Sequence, residues 1–380
     1  MGPSHPATQG SVKLRVELDG ESIVGLDVEV GYLHRGFEKE CESHEWHQAI
    51  PYTDRLNYNS AILSSTAFCL AAEKLLQLEA PHRARWLRVL AGELARVADH
   101  LTRCGNLCRE LGAATPFQYA IAARELVWDL LEMLCGARVT SGYLRIGGVK
   151  YDLPEGFAQC CDEKLAGLRK RLADFDALVT RNRIFIDRLK GTGILSRQDC
   201  LRYGVTGPLL RATGEDYDLR KVEPYLVYPE LDFDVPVGSV GDNYDRYLVC
   251  LEEIRQSLRI VEQCVDALAK IGPGPVQTRD PRVVGGVPGE RGGRTPGPLA
   301  NPEVGPKVPA GETYHAIESA NGELGFFLVS DGSASPYKVR CRPPSFLNLQ
   351  PLPLMARGEL LADLIPTLGL VNMVGGECDR

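Results

Sequence analysis

Between residues 87 and 111, apolar side chains return every three or four positions: Leu87, Leu90, Leu94, Val97, Leu101, Cys104, Cys108 and Leu111. At 3.6 residues per turn, this spacing lays one unbroken apolar stripe along a long helix, and such a stripe must be covered by other elements. The chain supplies them. From Pro51 to about Gly272 the period stays helical, with further runs at Leu165, Leu168, Leu172, Phe175 and Val179, and at Leu251, Ile254, Leu258, Val261 and Leu268. GPGP at 272–275 ends the last of these. Thr115 and Pro116 fit the N-cap and first position of another helix that stops near Gly136, which puts Glu110 at the joint between two helices. The expectation is a bundle of long helices.

At both ends of the bundle the period drops to two. Val12, Leu14, Val16 and Leu18 alternate with Lys13, Arg15 and Glu17, Asp19-Gly20 offers a turn, and residues 22–30 return. Near the C-terminus Leu324, Phe326 and Leu328 alternate, Asp331-Gly332 turns, and Tyr337, Val339 and Cys341 alternate with Lys338, Arg340 and Arg342. Residues 272–311 hold ten glycines and nine prolines in forty positions, too many for a regular element. The fold class is therefore α+β. Its expected parts are an N-terminal loop and β hairpin (1–50), a helical core (51–271), a Gly/Pro-rich linker (272–311), and a C-terminal hairpin and helix (312–380). Together they make one integrated domain.

A net charge of −7 and the lack of an extended Lys/Arg block exclude nucleic acid as an expected partner. No run reaches the 18 or more apolar residues of a membrane span. Twelve cysteines include no CxxC pair, so they read as reduced thiols packed on apolar faces, and no metal site is expected in this chain. No GxxxxGK[ST] or GxGxxG glycine loop lies between a strand and a helix, so the chain carries no phosphate-loop signature. Glu93, Arg96, His100 and Arg103 form a polar stripe beside the apolar one, which in isolation reads as a solvated helix face.

The first ten residues are MGPSHPATQG. Pro3 and Pro6 fix φ, and Gly2 and Gly10 permit bends at either end, so His5 and Gln9 sit on a constrained loop. With GYLHRGFEK (31–39), IPYTDRLNY (50–58), LGAATPF (111–117), RIGGVKYDLP (145–154), FDVPVGSVGDNYDRYL (233–248) and RPPSFLNLQ (342–350), this opening forms an ordered set of motifs. In these stretches the chain resembles the D subunit of respiratory complex I, the proton-pumping NADH:quinone oxidoreductase of bacteria. That family is related in fold to the large subunit of nickel–iron hydrogenases, which hold their metal with two CxxC pairs. Here the corresponding segments read DRLNYN and GECDR, so the resemblance implies a hydrogenase-like fold without the nickel site.

The resemblance also implies a cavity shared with the B subunit of the complex, whose iron–sulfur cluster passes electrons to quinone as substrate. The C subunit, other peripheral-arm subunits and the membrane arm are further implied partners. The chain would lie at the cytoplasmic face of the cell membrane as a peripheral protein, in a reaction coupled to proton translocation. The family's proton-donating tyrosine falls on Tyr52, whose phenol is protonated at neutral pH. The family motif GPxHPxTHG keeps its first histidine as His5 but has Gln9 in place of the second; a carboxamide positions a quinone without titrating. The family's aspartate falls on Glu110, which without an imidazolium partner is expected to hold a proton and act as the relay acid. His34, Arg35 and Asp152 are expected to support the site, with loop-tying as the alternative for His34 and Arg35. In the same family context the polar stripe would carry protons or face a partner. Asn321 stands where the family usually has a basic residue. The rival reading is a non-catalytic scaffold protein of a hydrogenase-related membrane complex.

Overall fold

The apolar stripe becomes the axis of the molecule. In the computed structural model, which describes residues 1–8, 10–283 and 305–380, His82–Glu110 is one 29-residue helix, about 43 Å long at 1.5 Å per residue. Every residue from Trp86 to Leu101 is buried, so this central helix is covered on all sides. Ala114–Cys135 and Asn243–Ile271 run against it, Phe157–Val179 packs on the far side of Ala114–Cys135, and Ala61–Leu76 and Leu361–Val371 close the remaining faces. The central helix and Ala114–Cys135 approach closely because Gly105 meets Ala120: a Cβ at Gly105 would lie 2.9 Å from that of Ala120.

Ala114–Cys135 starts two residues earlier than expected. Its N-cap is Ala113, with no side-chain cap, so Thr115 and Pro116 lie within the first turn. Proline is tolerated there because first-turn N–H groups have no intrahelical acceptor. The helix stops where expected, at Gly136 with φ 82°.

The N-terminal hairpin pairs Lys13–Asp19 with Ser22–Glu29, antiparallel, with an irregularity at Glu17/Leu18. Val12, Leu14 and Ile23 bury themselves in a second, smaller core against the C-terminal helices Pro344–Leu349, Leu352–Ala356 and Leu361–Val371. The C-terminal sheet has three strands rather than two: Gly311–Ser319, Gly322–Ser330 and Lys338–Arg342, with the second in the middle. The additional strand begins within the segment expected to be a linker. The flank before it is also anchored, since Val149 N–H donates to Val276 O and Thr278 N–H to Gly147 O. The rest of that expected linker, 284–304, lies outside the described residues.

The turn between the first two strands of this sheet drives into the bundle and overturns the reading of Glu93, Arg96, His100 and Arg103 as a solvated face. All four are buried. Arg96 donates to Ser319 O (2.8 Å) and Glu318 O (2.6 Å). Glu93 accepts from Tyr228 Oη (2.6 Å), Ser257 Oγ (2.6 Å) and Arg220 Nη1 (3.2 Å). His100 Nε2 sits 2.6 Å from Glu253, whose other oxygen accepts from Arg211 Nε at 2.9 Å. Arg211 also reaches Glu318 at 2.8 Å, and Arg220 pairs with Asp218. The stripe is polar because each charge meets a partner from a distant segment. Burying these charges unpaired would cost several kcal/mol each.

All twelve cysteines are free thiols. Among the described residues no group of three or more His, Cys, Asp or Glu is arranged to hold a metal ion. No described helix is long and apolar enough to cross a membrane.

Candidate functional site

The C-terminal end of the central helix leaves a polar cavity of about 90 Å³. Five segments converge on it: the opening loop through Thr8 and Ser11, the following loop through Leu33, the turn carrying Tyr58 and Asn59, the helix end with Arg103, Asn106 and Glu110, and the C-terminal stretch from Leu368 to Gly375.

The opening loop is held by its own polar groups. The Thr8 hydroxyl is buried near Pro3 O (3.0 Å) and His5 O (2.9 Å), the Ser11 hydroxyl donates to Thr8 O at 2.6 Å, and Leu14 N–H ties the hairpin to Met1 O at 2.7 Å. Gly2 has φ 78°, and a Cβ there would collide with Val12 O.

Tyr58 opens a single 3₁₀ turn, Tyr58–Ser60, capped by Asn57, whose side chain accepts from Asn59 N–H. Buried Asp99 fixes this turn, because its Oδ2 accepts from Asn57 Nδ2 (2.8 Å) and Ser60 Oγ (2.9 Å). Its Oδ1 accepts from Asn372 Nδ2 at 2.9 Å on the opposite wall. Burial, then the Asp99 charge, push the Tyr58 phenol above its ordinary range, so it remains a donor.

Glu110 ends the central helix with its carboxyl against Gly369, where a β-carbon would overlap Oε2. That oxygen is buried and has no hydrogen-bond partner. Burial lifts the Glu110 carboxyl to about 7, and Arg109 opposes the lift only in part. Two turns further back, Arg103 is held by Cys250 Sγ (3.0 Å), Ala320 O (3.2 Å) and the Asn321 carboxamide, while its buried Nε has no partner. The wall thus presents an arginine donor, a phenol and a carboxyl raised toward neutrality.

The residues expected from sequence divide between this cavity and other places. Glu110 lines it. Gln9 lies outside the described residues; Ala7, Thr8 and Ser11 around it line the cavity. His5 is exposed, and its Nδ1 accepts from Ala7 N–H at 3.2 Å. Tyr52 sits in the Trp46–Thr53 helix, half-buried against the His44 ring with 5.4 Å between centroids, and it is not among the described residues lining the cavity. His34 Nδ1 faces the carbonyls of Asp379 (2.7 Å) and Arg380 (2.8 Å), so that nitrogen carries the proton. Arg35 donates to Arg55 O at 2.8 Å and to Gly376 O at 3.4 Å. Both tie their loop to distant backbone. Asp152 grips Arg83 at 2.8 and 2.9 Å in the first turn of the central helix, about 40 Å along the axis from Glu110.

Tyr58, Asn106 and Asn372 were not among the sequence candidates, and Arg103 was read only as part of the polar stripe. Tyr58 stands in the same motif as Tyr52, and the available signal was local: Asn57 is a turn-former placed just before it, and it caps the turn that Tyr58 opens.

Comparison with known proteins first gives the class. The family model described as "Respiratory-chain NADH dehydrogenase, 49 Kd subunit" matches residues 110–380. Relatives then narrow it. The NADH-quinone oxidoreductase D subunit 2 of Anaeromyxobacter sp. (strain K) is 51% identical over 100% of this chain and 88% of its own length. The NADH-quinone oxidoreductase D subunit of Myxococcus xanthus is 50% identical over 100% and 92%, and that of Bacillus cereus 44% over 100% and 97%. The chain belongs to the family of D subunits of the NADH-quinone oxidoreductases.

Proposed function

We propose that this chain forms one wall of the quinone-reducing site of a proton-translocating NADH:quinone oxidoreductase. The observation that carries the reading is the cavity in which the Tyr58 phenol and the unpartnered Glu110 carboxyl face the same space. Reduction of a quinone to a quinol takes two electrons and two protons, so the headgroup needs donors within reach of its carbonyl oxygens. Tyr58 anchors one carbonyl by donating its hydroxyl. Glu110 gives a proton, because near neutral pH it is held partly as the acid. Gln9 orients the headgroup through its carboxamide, His5 shapes the loop, and Tyr52 stands outside the reaction. Small-molecule sites run to hundreds of Å³, so about 90 Å³ is a half-site that a partner chain must complete.

The partner in this reading is the B subunit, which brings the iron–sulfur cluster as electron source; the C subunit, the other peripheral-arm subunits and the membrane arm complete the complex. The fold is hydrogenase-like, with its sequence segments acting as a single domain, and the chain sits on the cytoplasmic side of the membrane. NADH binds in a partner.

The test is quinone reduction by the assembled complex carrying Tyr58→Phe or Tyr52→Phe. Tyr58→Phe is expected to lower turnover about a hundredfold with assembly intact, and Tyr52→Phe to leave it within about twofold. A parent complex that assembles and reduces no quinone identifies a scaffold instead.

A further inference from the structure

Arg103 is only 2% exposed, yet it lines the cavity. Among the described lining residues it is the only cationic side chain. A buried guanidinium ordinarily faces a carboxylate, as Arg88 faces Glu73 and Arg211 faces Glu253 in this same chain. The described partners of Arg103 include none. Its Nη1 donates to Cys250 Sγ at 3.0 Å, its Nη2 donates to Ala320 O at 3.2 Å and to the Asn321 carboxamide, and its buried Nε has no partner. The acids nearby are engaged with other groups: Asp99, one turn back, accepts from Asn57, Ser60 and Asn372, while Glu253 accepts from Arg211 and lies against His100. The Asn321 oxygen that takes the Arg103 bond also accepts from Nδ2 of Asn372, on the cavity wall, at 2.6 Å. Burial opposes the charge of Arg103, but Cys250 and then Asp99 outweigh it through space, and the guanidinium stays protonated. The cation is therefore fixed in place without an ion pair.

We propose that Arg103 is the anion-recognising group of the cavity: it stabilises the negative charge that builds on a quinone carbonyl oxygen as electrons arrive, and it makes the site favour an ionised headgroup over a neutral one. The inference rests on the quinone-site reading. Two electrons pass from the partner's cluster to the quinone, one proton comes from Glu110 and the other from solvent water, and the product is quinol. Arg103 keeps all its protons and forms no covalent bond, so its part is electrostatic. In a closed site of low dielectric a fixed cation acts more strongly than in water, and one already held by Ala320 and Asn321 needs no reorganisation when the charge appears. Tyr58 and the acid form of Glu110 donate to a neutral or a charged oxygen alike. Arg103 is the described lining side chain that favours the charged one by a charge of its own. Because that charge is absent from the oxidised quinone, the interaction belongs to the reaction step and raises kcat more than it lowers KM.

The experiment compares the assembled parent complex with Arg103→Gln, Arg103→Lys, Asn321→Asp and Tyr58→Phe. It reads quinone turnover, and inhibition by a hydroxynaphthoquinone, anionic at neutral pH, beside its neutral methoxy ether. Arg103→Gln is expected to lower kcat about tenfold with KM within about twofold, and to weaken the anionic inhibitor about tenfold while the neutral ether binds as in the parent. Arg103→Lys keeps the charge and should retain most of both properties. Asn321→Asp keeps the arginine but sets a carboxylate against it; it should lower kcat and the preference for the anion as Arg103→Gln does, and it carries the test if Arg103→Gln fails to assemble. A parent with no preference for the anion, equal weakening of both inhibitors, or parent-like kcat and preference in Arg103→Gln or Asn321→Asp overturns the proposal. If Tyr58→Phe is impaired while the Arg103 and Asn321 variants are not, only this inference falls; a parent that reduces no quinone overturns the site reading as well.

Discussion

Two stretches of one helix, less than five turns apart, treat buried charge in opposite ways. In the middle, Glu93 meets Arg96 and Arg220, and Glu253 from the neighbouring helix meets Arg211 and His100. Burial pushes both carboxyls up, but the facing cations outweigh it and hold them below the ordinary range. At the C-terminal end burial acts on Glu110 with only Arg109 against it, and the carboxyl rises to about 7. Depth alone therefore does not set the chemistry of a buried acid. At Glu93 and Glu253 the cations aimed at them decide, and the helix passes from a region with several to one where Oε2 of Glu110 has no partner. The paired region ties distant segments together, while the unpaired acid lines the cavity.

The comparison breaks most visibly if the paired region loses a cation. Arg211→Met strips the cation shared by Glu253, Glu318 and Asp218; about 3–5 kcal/mol of stability should be lost, read as a lower denaturant midpoint or failure to assemble. A variant as stable as the parent would mean that the network contributes nothing to folding. Glu110→Gln should leave the fold intact and lower turnover about a hundredfold. The sign of the pH effect follows from the raised carboxyl: the donor form is full well below pH 7 and is depleted above it, so the parent rate declines through about 7 and the variant's decline is shallower. Because ionising Glu110 is disfavoured in the folded chain, Glu110→Gln should also flatten a loss of stability that the parent shows as pH rises from about 4.5 to about 7.

Smaller effects sharpen the contrast. Gly369→Ala adds a β-carbon where the Glu110 carboxyl lies; helix propensity favours alanine by about 1 kcal/mol, so a several-fold loss of turnover without loss of stability would show that the position of the acid matters. Asp152→Asn, at the far end of the same helix, should cost about 1 kcal/mol or less and leave turnover and its pH profile at parent values. A shifted profile would argue that the two ends communicate.

Much of this architecture was legible because it is periodic. The stripe from Leu87 to Leu111, the N-terminal hairpin and the stop at Gly136 are local patterns, and each emerges near its expected place. Glu110 was legible as a joint for the same reason. The strand Gly311–Ser319 was not, since it starts at the edge of a Gly/Pro-rich stretch and owes its place to pairing with Gly322–Ser330. The partners of Arg96, at Glu318 and Ser319, lie more than two hundred residues away, so a buried stripe and a solvated one look alike in sequence. Tyr52 and Tyr58 occupy one motif, and only the end of the Trp46–Thr53 helix between them decides which faces the cavity.

The bonds of Asp99 bear on how the cavity can move. One oxygen holds the turn that carries Tyr58 and the other holds Asn372 across the gap. The two jaws thus share a single pin set in a rigid shaft, and neither can swing outward while the other stays still unless a bond to that pin is given up. Any opening that swings one of these walls outward therefore begins by breaking its bonds to Asp99, at residues 57–60 or at residue 372.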